Sequence, residues 1–88
     1  MFKNKTIMIT GGTGSFGNTL LTRFINSDIK EIRIFSRDEK KQHDIRLKYN
    51  SEKIKFYIGD VRDQLSLDKV TEGVDFVFQA AALKQVPS

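Results

Sequence analysis

Apolar and polar positions along the chain alternate between two rhythms. Lys5-Thr6-Ile7-Met8-Ile9-Thr10 is a short, mostly apolar, β-branched run and predicts a buried strand. A glycine cluster, Gly11 to Gly17, follows. Phe16, Leu20 and Phe24 then recur every fourth residue, with Leu21 and Ile25 beside them, so a helix with one apolar face is expected over Asn18 to Ser27. Glu31 to Ser36 alternates polar and apolar and predicts a second strand. Asp38 to Tyr49 is highly charged, with a thin apolar stripe of Ile45 and Tyr49, and Asp38 stands where a helix N-cap would. Lys55 to Gly59 predicts a third strand, Gln64 to Thr71 a short helix ended near Gly73, and Val74 to Gln79 a fourth strand. Ala80-Ala81-Ala82-Leu83-Lys84 then leaves the sheet.

The implied order is βαβαβαβ. Strands alternating with helices favour a parallel sheet with right-handed crossovers. There is no internal repeat, linker or low-complexity stretch, so residues 1–88 read as part of one domain. The fourth strand is apolar like an interior strand but would lie at an edge, which invites association and implies a longer protein.

Composition narrows the classes. At 88 residues the chain buries a modest share of its surface, so marginal stability is expected. A hydrophobic content of 39% with seven Phe argues against disorder. Without cysteine there is neither a disulfide framework nor a thiolate metal site. The lone His43, in the charged helix, reads as a surface residue. No apolar run approaches membrane-spanning length, and Met1 to Lys5 leads straight into a strand without a signal-peptide core, so a cytoplasmic location without membrane attachment is expected. The net charge of +4 serves solubility or attracts an anion such as a nucleotide phosphate. The basic residues are scattered among acids, as in Arg37-Asp38-Glu39-Lys40-Lys41, which argues against a nucleic-acid module.

The strongest chemical signal is Thr10-Gly11-Gly12-Thr13-Gly14-Ser15-Phe16-Gly17. Gly12, Gly14 and Gly17 satisfy G-x-G-x-x-G, and Gly11, Gly14 and Gly17 satisfy G-x-x-G-x-x-G. One glycine permits the tight turn out of the strand, one admits a pyrophosphate against the backbone, and one lets the helix pack closely on the sheet. The helix that follows offers unpaired N–H groups and its positive end to the phosphates. The pattern follows a strand and opens a helix in the first βαβ unit, the context that gives it meaning. A Rossmann-type sheet is therefore expected, in the incomplete strand order 3-2-1-4.

The end of the second strand bears on the choice of cofactor. An NAD site usually places Asp or Glu about 20 residues beyond the glycines. Ser36-Arg37-Asp38 stands there instead. A guanidinium forks onto the oxygens of a 2′-phosphate, Ser36 adds a hydroxyl, and Lys40 or Lys41 a second charge, so NADP is preferred to NAD. The alternative gives the ribose hydroxyls to Asp38 and leaves Arg37 solvated. After the third strand, Asp60 is placed to accept from an adenine amino group and the Val61 backbone to reach the ring edge; Asp60 or Asp63 alternatively caps the next helix. Small residues at Ala80, Ala81 and Ala82 either admit the cofactor or pack closely, and Lys84 either meets phosphate or substrate or is solvated.

The segments Thr10 to Gly17, Phe35-Ser36-Arg37-Asp38-Glu39-Lys40-Lys41, Phe56 to Asp63 and Ala80 to Pro87 together resemble the inverting UDP-N-acetylglucosamine 4,6-dehydratases. These are extended short-chain dehydrogenase/reductase enzymes of capsule, O-antigen and glycan biosynthesis. The resemblance implies an NADP-dependent lyase acting on a nucleotide-sugar, in which hydride leaves sugar C4, water is lost across C5 and C6, and hydride returns at C6 with inversion at C5. It implies cofactor contacts from Gly11, Thr13, Gly14, Ser15, Phe16 and Gly17, from Ser36, Arg37, Asp38 and Lys41, from Asp60 and Val61, and from Ala80, Ala81, Ala82 and Lys84. A homo-oligomeric parent is implied as well. The family's catalytic tyrosine and lysine lie on later elements, and Tyr49 and Tyr57 do not sit in a matching Tyr-x-x-x-Lys context, so the chain alone is expected to be inactive. The alternatives are a stand-alone dinucleotide-binding module and part of a related nucleotide-sugar epimerase or reductase.

Overall fold

All five residues of β1 (Thr6–Thr10) are buried, as an apolar run flanked by strands on both sides requires. The computed structural model describes residues 3–11, 15–60 and 62–79, with the backbone alone at Ser15 and Phe16. After β1 come α1 (Ser15–Phe24), β2 (Glu31–Ser36), α2 (Glu39–Tyr49), β3 (Ile54–Ile58), α3 (Gln64–Val70) and β4 (Phe76–Gln79). The strands form one parallel sheet in the order β3-β2-β1-β4, the order expected from sequence. Register runs from Thr6↔Glu31 to Thr10↔Phe35 between β1 and β2, and from Ile32↔Ile54 to Ser36↔Ile58 between β2 and β3. On the other side of β1 it runs from Ile7↔Phe76 to Thr10↔Gln79.

Alternation along the strands sorts the core into two faces. Ile7, Ile9, Ile32, Ile34 and Ile54 pack with Leu21 of α1 and Ile45 of α2. Met8 and Phe35 point the other way, toward Val70 and Leu67 of α3. Thus α1 and α2 cover one face and α3 the other. The change of side comes where the chain, having stepped outward from β1 to β3, returns to the far side of β1 as β4. That reversal makes the carboxyl ends of β1 and β4 the topological switch point of the sheet, the place where doubly wound folds bind ligands.

The helix after the glycines differs from expectation at both ends. It begins at Ser15, inside the glycine cluster, so the buried Gly17 belongs to its first turns and not to a loop. It stops at Phe24, because the Ser27 hydroxyl donates to the Phe24 carbonyl at 2.6 Å and accepts from the Ile29 N–H at 3.3 Å, a local turn that competes with further helix. In α2, Gln42 is as buried as Ile45. Its amide donates to the Ser36 hydroxyl and to the Tyr57 carbonyl, each at 2.9 Å, and so ties α2 to β2 and β3.

Candidate nucleotide-binding edge

The four parallel strands all end at the same carboxyl edge of the sheet. Two hydrogen bonds extend the ladders one residue past the strands: the Gly11 N–H donates to the Phe35 carbonyl at 3.0 Å, and the Gly59 N–H to the Ser36 carbonyl at 2.9 Å. The loops after β1, β2 and β3 therefore start side by side. Gly11 has φ +64°, a left-handed conformation that costs an L-residue about 1–2 kcal/mol. It turns the chain out of β1, and α1 opens at Ser15 with N–H groups that no earlier turn can satisfy.

After β2, Ser36 is buried and its Oγ accepts from Gln42, which leaves the hydroxyl its own proton to donate. Arg37 comes next, with 71% of its side chain exposed. Asp38 caps α2, Oδ1 accepting from the Lys41 N–H at 3.0 Å. Lys40 and Lys41 are exposed on the first turn of that helix, and His43 is exposed farther along it.

After β3, Asp60 is clasped by Arg62. Oδ2 accepts from Nη2 at 2.8 Å, both oxygens accept from Nε at 3.2 Å, and Oδ1 accepts from the Arg62 N–H at 2.9 Å. Arg37 Nη1 lies 3.6 Å from Oδ2. The side-chain hydrogen bonds of Arg62, helped by its N–H and by both positive charges, hold the Asp60 carboxyl down at about 2 and push the Arg62 guanidinium up. Asp63, the other candidate cap, is the N-cap of α3 and accepts from the Ser66 N–H and hydroxyl.

The structure thus brings Gly11, the backbone of Ser15 and Phe16, Gly17, Ser36, Arg37, Asp38, Lys41 and Asp60 to one end of the sheet. Gly12, Thr13, Gly14, Val61, Ala80, Ala81, Ala82 and Lys84 lie outside the described residues. Two further residues join this edge. Gln42 falls three residues before Ile45 on the same helix face, a spacing that signals its burial, whereas Arg62, two residues after Asp60, carries no signal that separates it from other surface arginines.

One motif needs correction. Tyr49 and Lys53 do stand at the Tyr-x-x-x-Lys interval. They do not share a helix: Tyr49 ends α2, and Lys53 precedes β3 with its Nζ donating to the Ser27 carbonyl at 2.8 Å. The Tyr49 hydroxyl bonds Thr22 Oγ1 at 3.0 Å, against α1. An open groove of about 710 Å³ lies beside it, between Thr22, Ile25 and Asn26 and the segment Lys48 to Glu52.

Comparison with known proteins agrees with this architecture. The family model described as polysaccharide biosynthesis protein matches residues 7–88. Proteins named UDP-glucose 4-epimerase from Rickettsia felis and Rickettsia conorii are each 66% identical over the whole chain, which spans 27% of their length. Among solved structures, Pen from Bacillus thuringiensis shares 32% identity with a TM-score of 0.82 over 88% of the chain and 24% of its own. WbmF from Bordetella bronchiseptica, solved in complex with NAD+, is 18% identical with a TM-score of 0.69 over 89% of the chain and 23% of its own, a likeness of fold.

Proposed function

Because the chain belongs to the polysaccharide biosynthesis protein family, we propose that residues 1–88 are the cofactor-binding N-terminal part of a nucleotide-sugar enzyme of the short-chain dehydrogenase/reductase type, with NADP as its cofactor. One observation carries the reading: the left-handed Gly11 turn, the opening of α1 and the exposed Arg37 converge on the carboxyl edge of the sheet. The residues present fit a dinucleotide. A helix opening straight after a glycine turn suits a pyrophosphate. Arg37 suits a ribose phosphate, with the Ser36 proton and Lys41 as further donors. Asp38 spends one oxygen on its cap, so the second is left to orient a ribose hydroxyl. By motif, Thr13, Gly14, Ser15 and Phe16 complete the phosphate turn, Asp60 and Val61 hold adenine, and Ala80, Ala81, Ala82 and Lys84 border the nicotinamide and substrate. The bound cofactor supplies the hydride acceptor; the residues of this chain bind and orient it.

For the complete enzyme we propose the chemistry of an inverting UDP-N-acetylglucosamine 4,6-dehydratase, on the strength of Ser36-Arg37-Asp38-Glu39 and Leu83-Lys84-Gln85-Val86-Pro87. A 4-epimerase is the second reading, favoured by the names of the Rickettsia relatives. Both chemistries begin with oxidation at sugar C4, so they place the same demand on this part of the chain. The substrate domain and the catalytic tyrosine and lysine then belong to the remainder of a cytoplasmic homo-oligomer. The test is a chimera in which residues 1–88 replace the matching segment of the Rickettsia felis relative. Turnover of a UDP-sugar supports the reading, with its product distinguishing water loss from epimerisation. A folded chimera that binds neither NADP+ nor NAD+ contradicts it.

A further inference from the structure

Asp60 faces two guanidiniums and treats them differently. Arg62 takes both carboxylate oxygens, with its closest contact at 2.8 Å. Arg37, on the neighbouring loop, stops 3.6 Å away, within ion-pair range but beyond hydrogen-bond distance. The two side chains are 71% and 77% exposed, so burial fixes neither of them. Arg62 is therefore the guanidinium that holds the carboxylate, and the planar fork of Arg37 makes no hydrogen bond to it.

We infer that Arg62 favours NADP over NAD by occupying Asp60, which keeps the Arg37 fork available to the ribose phosphate. The inference rests on the cofactor reading above. Without Arg62, the nearest anion to Arg37 is Asp60 itself, and rotation of an exposed side chain suffices to close the remaining gap. A phosphate must then compete with an internal carboxylate for the same bidentate donor. Arg62 acts through Asp60 and touches no cofactor, so it is a positioning residue. A cofactor without the 2′-phosphate has no use for the fork and is indifferent to Arg62.

The experiment titrates the 88-residue chain with NADP+ and NAD+ and follows the ratio of the two affinities in Arg62→Ala, Asp60→Asn, the double variant and Arg37→Ala. Arg62→Ala should lower the NADP+/NAD+ ratio about threefold to fivefold, the scale of an exposed ion pair, with NAD+ affinity unchanged. Asp60→Asn should not lower the ratio, even where a lost adenine contact weakens both cofactors equally. The double variant should recover the ratio of Asp60→Asn, because no carboxylate remains to capture Arg37. A ratio untouched by Arg62→Ala overturns the inference. So does a double variant as impaired as Arg62→Ala, which would mean that Arg62 meets the phosphate itself. Arg62→Gln repeats the test with a longer side chain, and the amide spectrum confirms that each variant is folded. A wild-type preference for NADP+ abolished by Arg37→Ala but indifferent to Arg62 sinks this inference alone. A wild-type chain with no such preference sinks the cofactor reading and this inference with it.

Discussion

At Gly59 the constraint comes from a neighbour. A Cβ built there would lie 2.5 Å from one carbon of the Phe35 ring and 2.7 Å from another, and Phe35 is fully buried. Gly59→Ala should therefore destabilise the fold by about 1–3 kcal/mol, the usual cost of overpacking, as read from urea denaturation. Asp60 makes a pH-dependent contribution. Its folded-state carboxyl titrates at about 2, below the ordinary 3.8, so its contribution is complete above 3.8 and is lost as pH falls toward 2. Stability should decline through that window, and Asp60→Asn should flatten that part of the profile. The caps at Asp38 and Asp63 were legible in the sequence because capping positions have local signatures. The grip of Arg62 on Asp60 was not, because an arginine beside an acid is ordinary on a charged surface.

Among the elements, α2 shows how a helix with little apolar surface is held. Ile45 and Gln42 are its buried residues, Tyr49 packs against the core beside them, and polar contacts supply much of the rest of its grip. Asp38 caps one end, and Asn50, with φ +46°, closes the other by donating its N–H to the Arg46 carbonyl at 2.9 Å. The Arg46 guanidinium sits 4.8 Å from the centre of the Phe56 ring on β3. Asp38→Ala should cost about 1 kcal/mol by loss of the cap. Gln42→Leu, which keeps the bulk but removes the donor to Ser36 and Tyr57, should cost about 1–3 kcal/mol. Thermal melts of both variants check these values. The bounds of α2 could be read from its cap, whereas α1 was misplaced at both ends. Gly17 ends the glycine cluster in sequence yet lies in the first turn of α1, and the Ser27 turn leaves no periodic trace.

For the molecule as a whole, strand alternation carried the topology. Four apolar runs separated by helical stretches leave few ways to build a parallel sheet; the glycine signature of the first βαβ unit implied the return across β1, and right-handed crossovers then put α3 on the face opposite α1 and α2. What the pattern did not carry is the placement of side chains between loops distant in sequence, such as Arg37 against Asp60. Phe76 and Val77 of the edge strand β4 remain 45% and 43% exposed, although both are strand-core residue types. Concentration-dependent association is expected in sedimentation, and Val77→Lys should reduce it with little loss of stability. The central claim is that the carboxyl edge of this sheet binds a phosphorylated dinucleotide through the glycine turn and Arg37. It is tested most directly by amide NMR spectra of the 88-residue chain titrated with NADP+ and with NAD+. The account predicts a dispersed spectrum in which NADP+ shifts Gly11, Gly17 and Arg37 at lower concentration than NAD+, a difference lost in Arg37→Ala. A dispersed spectrum that neither cofactor moves, or one that NAD+ moves first, contradicts it.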